Sequence, residues 1–440
     1  MTDDPRMGST PLLLSRREML GTFGQAAVAG LAAGVALPAQ QRRPRIAVVV
    51  TYWAYPRSHA DWIICKLMDG YWFKGRHVDS RVDVVSAYIH QLETSELGRK
   101  VCESKGIPVY EKVSDALTMG GKELAVDGVV LVGEHGNYHR NLMGQTYYPR
   151  WFLYQQIMQV FEESKRSVPV FNDKHLSTNW NESKWMFNKS RELDFPLFGG
   201  SSIPFYYRDP EIDIDKGAPL KHSVVAGGSR DAGGLFHAVD VLQSFVEMRK
   251  GGESGVGSVQ CIHGDEVWKW TKRNAWAGNL LGSIGKKFDF KDGHFEETAQ
   301  RPSVTIVNYR DGTKAAVYTV RGAGWTFAGE IAGRKDPLIT SMLGWPGPFA
   351  QYHAANAFEH WIVEMMLTRK EPYNAERLLL STGITGFNME SNWKNGEYSG
   401  VGRVVETPYM DMKYTPTRGS MFNTGERPPV VPYIRGFAEA

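Results

Sequence analysis

The sequence predicts an α/β protein: an N-terminal doubly wound parallel sheet, then an α+β domain with a large, mostly antiparallel open sheet. Three observations carry this. Ile46 to Val50 is a short β-branched run, read as a strand buried on both faces, and a turn and a helix with Ala60, Ile63, Ile64 and Leu67 at helical spacing follow it. Strand-like and helix-like segments then alternate as far as about Trp180, the pattern of parallel strands joined by crossover helices. Beyond Trp180 strand-like runs dominate, and two of them flank Arg310-Asp311-Gly312 as in a hairpin.

In order, strands are predicted at Val82 to Tyr88, Ile107 to Tyr110, Asp127 to Gly133 and Ser167 to Asn172. Helices are predicted at Glu96 to Gly106, Val113 to Gly120 and Tyr154 to Ser164. In the second half, Gly233 to Met248 reads as a helix with Leu235, Val239, Leu242 and Val246 on one face. Strands are predicted at Gly257 to His263, Ser303 to Tyr309, Ala315 to Val320 and Trp325 to Ile331. Tyr352 to Thr368 is the clearest helix, with Ala355, Phe358, Ile362, Met365 and Met366 facing the core. The predicted divisions are 1–40, 41–180, 181–405, and a surface-wrapping tail, 406–440.

A chain of 440 residues favours two domains. Its net charge of +3 and the lack of a basic stripe argue against nucleic acid. Cys65, Cys102 and Cys261 are too few and too widely spaced for a disulfide framework or a C-x-x-C metal site, and read as buried thiols. Ser15-Arg16-Arg17-Glu18-Met19-Leu20, an uncharged Ala/Gly-rich run to Leu37 and ALPAQ read as a twin-arginine export signal with a peptidase site near Ala39. The expected location is periplasmic or extracytoplasmic. The run is too short and too weakly apolar to read as a spanning helix, and no other long apolar stretch follows. Proteins on that route are exported folded, often with a cofactor or metal already loaded.

Several local matches resemble the Gfo/Idh/MocA oxidoreductases, over about Arg45 to Leu380. Arg57, Ser58, His59 and Ala60 fit the end of the family's G-x-G-x-x-G-R-x-H-A turn, with Thr51, Trp53 and Pro56 at the glycine positions. DGVVLVGEHGNYH resembles its fourth strand and loop, with His139 at the usual histidine. VPVFNDKHL resembles V-x-x-E-K-P-L, placing Lys174 at the lysine, Asp173 at the glutamate and His175 at the proline. His237 and Asp240 match D-x-x-x-H-x-x-D, with Gly233 at the leading aspartate. The resemblance implies a Rossmann-like first domain, NAD(P) and oxidation of a small sugar or polyol. It gives Lys174 and His237 the acid and base roles, with Asp240 as the carboxylate nearest to orienting the imidazole. The cofactor side falls to Thr51, Trp53, Arg57, His59, Glu134, His135 and Asn137. The Trp53 indole would occupy space a dinucleotide needs, Pro56 has no N–H for a phosphate, and Tyr88-Ile89-His90-Gln91 offers no carboxylate to a ribose.

In an open parallel sheet, ligands sit beyond the carboxyl ends of the strands. His59, Glu134, His135, Asn137, Asn172, Asp173, Lys174 and His175 all follow predicted strands, and His237 and Asp240 should face them across the cleft. Each residue alone reads more readily as a helix cap or loop contact; the set reads as a functional cleft. Lys174 is expected there with little role in stability. A rival reading uses Glu134, His135, Asp173, His175 and His237 as ligands for a divalent metal in a cofactor-free or metal-dependent carbohydrate-binding or carbohydrate-processing protein. Asp265-Glu266 with Trp268 and Trp270 reads as sheet-edge packing. Any homo-oligomer is expected to form through the second domain's sheet.

Overall fold

The computed structural model describes residues 42–54, 58–344, 354–394, 397–398, 400–417, 419 and 421–427. The export signal, Pro56, Arg57 and the first turn predicted at Tyr352 lie outside them. The first sheet contains β1 (Arg45–Val50), β4 (Asp83–Ile89), β5 (Val109–Tyr110), β6 (Gly128–Val132), β7 (Val170–Asp173) and β8 (Leu197–Gly200), while β2 (Tyr71–Phe73) and β3 (Arg76–Val78) form a separate hairpin. Its order is β5-β4-β1-β6-β7-β8 and every neighbouring pair is parallel. The order reverses at β1, so the crevice for a ligand lies beyond the carboxyl ends of β1 and β6.

Helices α1 (His59–Asp69), α2 (Glu96–Ser104), α3 (Val113–Thr118), α4 (Arg150–Glu163) and α5 (Trp180–Glu192) cover both faces. Ile46, Val48 and Val50 share one core with Ile63, Ile64 and Leu67 of α1. Ala47 and Val49 share the other with Leu117 of α3 and Leu153 and Ile157 of α4. That alternation explains the unbroken apolar run of β1. The sheet continues to Gly200, past the division predicted near residue 180; a four-residue strand ending in two glycines carries almost no sequence signal.

The second sheet contains β9 (Arg208–Asp209), β10 (Leu220–Ala226), β11 (Val256–His263), β12 (Ser303–Tyr309), β13 (Lys314–Thr319), β14 (Trp325–Ile331), β15 (Leu338–Met342) and, after a short pair β16 (Trp393–Lys394) and β17 (Glu397–Tyr398), β18 (Val405–Glu406). Its order is β18-β11-β12-β13-β10-β14-β15-β9. Only β10 and β13 pair in parallel. The predicted hairpin is β12–β13, in register from Ser303 opposite Thr319 to Asn308 opposite Lys314.

The remaining helices are α6 (Ala232–Val246), α7 (Glu266–Arg273), α8 (Ala275–Lys287), α9 (His294–Thr298), α10 (Asn356–Thr368) and α11 (Ala375–Asn392). Val225, Val317 and Phe327 of the sheet share a core with Leu242 and Phe245 of α6. Val224, Ala316 and Ala328, on the opposite face, share one with Trp268 of α7 and Leu280, Leu281 and Ile284 of α8. Two expectations change. The Trp268 segment is a helix lying on the sheet instead of a sheet edge. The sheet face expected to meet a second copy is covered, over its central strands, by helices of the same chain. From the tail, β18 pairs with β11, and Asn423 holds the β2–β3 hairpin through Lys74 N and Trp72 O. Among the described residues, no helix is long and apolar enough to cross a membrane.

Candidate active site

The site is assembled where β7 ends. Lys174 adopts a left-handed backbone conformation, φ 63°, and its N–H still donates to Gly200 O at 3.2 Å. The Asn172 side-chain amide holds this turn by donating to Asp173 O at 3.2 Å and to His175 O at 3.4 Å. The turn directs Asp173 and Lys174 toward α1, whose first residue is His59 and whose cap is Ser58, accepting from Asp61 N. His59 Nδ1 lies 2.7 Å from Asp173 Oδ2, and Lys174 Nζ lies 2.9 Å from His59 Nε2. Burial, and then the Lys174 charge, hold His59 well below the ordinary histidine range, so the ring is neutral. A neutral ring between a carboxylate and an ammonium is fixed as the Nδ1–H tautomer, donating to Asp173 and accepting from Lys174. Burial raises the Asp173 carboxyl although Lys174 and Arg150 oppose it.

Glu134 follows β6. One oxygen takes a hydrogen bond from Arg150 Nη2 and the other lies 4.0 Å from Lys174 Nζ. Burial would raise its pKa, but the combined fields of Lys174, Arg150 and His59 reverse this, and the carboxyl sits below its usual range. Arg150 Nη1 also lies 3.0 Å from His175 Nδ1. Burial and Arg150 push His175 well down, which leaves the ring neutral to accept that bond. Sequence reasoning missed Arg150: α4 was predicted to begin at Tyr154, which left the arginine in a loop.

His237 lies in the second turn of α6, capped by Asp231 through Gly234 N at 3.0 Å. Its Nδ1 lies 2.6 Å from Ser201 Oγ, just past β8, and its ring centroid is 5.7 Å from that of Trp325. Burial and the Lys174 charge hold it well below the ordinary range. A Cβ on Gly233, in the first turn of the same helix, would lie 3.7 Å from Glu134 Oε1. The start of α6 therefore faces Glu134, whose same oxygen lies 4.0 Å from Lys174 Nζ. Asp240 does not join them. It is fully buried, with Oδ1 accepting from Arg377 Nε at 3.1 Å and Ser381 Oγ at 3.0 Å, and Oδ2 from Ser201 N at 2.9 Å. Ser201 links the two: its backbone N–H meets Asp240 and its hydroxyl meets the His237 ring.

The residues assigned to a cofactor behave otherwise than expected. Thr51 is buried, its hydroxyl donating to Glu134 O at 2.8 Å. The Trp53 indole turns into the core beside α2; a Cβ on Gly98 would come within 2.8 Å of Trp53 Cβ. It therefore does not fill the crevice as its position implied. Three of the described backbone N–H groups there are already used. Trp53 N–H donates to Ser95 Oγ at 3.0 Å, Ala54 N–H to Ser58 Oγ at 2.9 Å, and His59 N–H to His135 Nδ1 at 3.4 Å. His135, also at positive φ, places its ring 4.9 Å from that of His59. Above β1, Gln91 joins the exit of β4 to that of β6: its amide donates to Asn137 O at 2.9 Å and accepts from Asn137 N at 3.0 Å. A pyrophosphate approaches a helix start through free N–H groups, so as they stand these described residues do not fit a dinucleotide. The metal reading fails on geometry too. Among the described residues no group of three or more His, Cys, Asp and Glu side chains is placed to hold a metal, and the Arg150 guanidinium stands between Glu134 and His175.

A six-stranded parallel sheet with flanking helices, then a large, mostly antiparallel sheet, is the two-domain fold of the Gfo/Idh/MocA oxidoreductases. Scyllo-inositol dehydrogenase from Lactobacillus casei, in its apo form, superposes with a TM-score of 0.51 at 14% identity, covering 83% of this chain and 98% of that one. The same enzyme with bound NAD(H) and scyllo-inositol gives 0.50 at 14% identity, covering 83% and 99%. GenD2 from gentamicin A biosynthesis, in complex with NAD, gives 0.51 at 12% identity, covering 83% and 96%. At these identities the likeness is one of fold. No protein-family model matches the sequence, and no curated protein matches it.

Proposed function

We propose that this chain is an exported oxidoreductase of the Gfo/Idh/MocA type that acts on a sugar or polyol at the Lys174–His237 site. The observation that carries the reading is Lys174 at the carboxyl end of β7, its amine held by His59 and Glu134 on the side where α6 brings His237. His59 accepts one proton of the Lys174 amine, which leaves others to donate to a substrate hydroxyl. His237 is neutral and anchored through Nδ1, so Nε2 is the nitrogen available to take a hydroxyl proton. Glu134 holds the lysine, Arg150 holds Glu134, and the carboxylates of Glu134 and Asp173 balance the two cations. A nicotinamide, when bound, would supply the hydride acceptor, and it would have to displace the contacts that His135 and the Gln91–Asn137 pair now make at the strand ends.

The hydrogen bonds already made at that crevice favour a second reading, a protein that binds or processes a carbohydrate at the same cleft without a dinucleotide. Calorimetric titration of the natively purified chain with NAD+ and NADP+, followed by turnover assays on inositols and hexoses, separates the two. Dinucleotide binding with polyol oxidation lost in Lys174→Met supports the first. Polyol binding that depends on Lys174 with no dinucleotide bound supports the second and removes the oxidoreductase. Export is proposed from the twin-arginine stretch, the uncharged run to Leu37 and ALPAQ; unchanged periplasmic yield after replacing Arg16 and Arg17 by Lys would remove it.

A further inference from the structure

We infer that the cleft between α5 and α11 is a saccharide-binding site, distinct from the Lys174 site. It encloses about 490 Å³. Small-molecule pockets span roughly 300–1,000 Å³, so the space suits one or two sugar rings. Three aromatic rings form a triangle on its wall: Trp180 lies 5.7 Å from Phe387 and 5.7 Å from Tyr409, and Phe387 lies 5.5 Å from Tyr409. The cluster grades from core to solvent, with Phe387 buried, Trp180 half-buried and Tyr409 41% exposed. Gly383 of α11 makes room for the indole, since a Cβ there would fall 2.7 Å from Trp180 Cζ3.

The rim carries hydrogen-bonding groups of every kind. Asn181 and Lys184 are exposed, with no side-chain partner among the described residues, and Glu390 is held by Arg403. The rim therefore offers an amide donor and acceptor, an ammonium donor and a carboxylate acceptor. A pyranose has an apolar C–H face to lay on aromatic rings and a belt of hydroxyls that both donate and accept, which matches this wall and rim. A phosphate would meet the Glu390 carboxylate. An acyl chain would strip water from the rim groups and return no hydrogen bond.

The cleft lies behind the same turn that presents Lys174. Leu176, two residues on, is buried, and its N–H donates to Thr382 Oγ1, on the cleft wall, at 3.2 Å. The inference goes beyond the proposed activity and uses none of its residues.

Calorimetry on the full chain with glucose, galactose, mannose, N-acetylglucosamine, cellobiose and maltose tests it. At least one should bind, weaken by about tenfold or more in both Trp180→Ala and Tyr409→Ala, and bind Lys174→Met as well as the parent. Tyr409 is exposed, so its variant should melt with the parent and guards against misfolding of the Trp180 variant. No binding by any of these sugars overturns the site. So does binding lost in Lys174→Met and kept in Tyr409→Ala, which would move the sugar to the other cleft. Absence of turnover on polyols would sink the oxidoreductase and leave this site standing.

Discussion

The Lys174 amine rests 2.9 Å from Nε2 of His59, a residue 115 positions earlier in the chain, and is buried there with only 3% of its surface exposed. The contact joins the end of β7 to the first turn of α1, so the lysine is both the proposed acid and part of what holds the first domain's ligand edge together.

Lys174→Met should therefore do two things. Turnover should be abolished, because the proton donor is gone. Stability should also fall, by about 3 kcal/mol, since removing one partner of a buried charged cluster leaves the others uncompensated. Arg150 stays on Glu134 and limits the loss. This corrects the sequence expectation of a lysine whose loss leaves melting unchanged. Chemical denaturation together with an activity assay checks it; a variant as stable as the parent would mean the buried amine is not paired as seen.

Acid should unfold the protein through its neutral histidines. His59, His175 and His237 are each held well below the ordinary value, burial being the largest cause in all three. A lowered folded pKa means that below about pH 6.5 the unfolded chain takes up protons the folded chain refuses, so stability falls as pH falls through that window. Each fully coupled histidine contributes at most about 1.4 kcal/mol per pH unit. Melting temperature should be level above pH 7 and fall between pH 6.5 and 5, more gently in His175→Gln. A flat profile across that range would show that these rings are hydrated.

The parallel sheet was legible because β1 and β6 are continuous apolar runs, and the β12–β13 hairpin because its strands flank an Asp-Gly turn. α11 was not legible. Thr382, Gly383, Thr385 and Gly386 break any apolar stripe, and most of the helix is buried, on several sides, against α5, α6, β8 and β11; a helix buried on several sides has no amphipathic period to read. In the site, Lys174 and His237 were placed by motif. Arg150, Ser201 and Arg377 come from elements far apart in the chain and carry no spacing that would bring them together. Trp53 was misjudged for a related reason: its position in the turn was visible, but the room left by Gly98, which lets the indole turn inward, is a tertiary fact.

Gly98→Ala tests that room. The added methyl would sit 2.8 Å from Trp53 Cβ and 3.0 Å from Ile89 Cδ1. Alanine is the better helix former, so an unhindered site would gain about 1 kcal/mol. Overpacking a filled core costs about 1–3 kcal/mol, and should win here. In a Trp53→Gly background, which removes both the Cβ and the Cγ that the methyl meets, the same change should cost less. Stabilisation by Gly98→Ala alone would show that the indole lies elsewhere, in the crevice.

Ser201 and Asp240 separate orientation from stability. The Ser201 hydroxyl lies 2.6 Å from His237 Nδ1, and its backbone N–H donates to Asp240 at 2.9 Å. Asp240 in turn neutralises Arg377, with both side chains buried. Ser201→Ala removes the bond to the imidazole and keeps the backbone bond to the carboxylate. It should lower kcat and alter its pH profile, because the ring is no longer held, at a stability cost of about 1 kcal/mol. Asp240→Ala leaves the buried Arg377 guanidinium with Glu247 alone, 3.7 Å away, and should cost about 3 kcal/mol. In material that still folds, its kinetic effect should resemble that of Ser201→Ala, through which it acts. Measuring kcat, KM and melting temperature for both variants decides the matter. A fall in kcat in Asp240→Ala with melting unchanged would restore the carboxylate to the chemistry and remove Ser201 as the link.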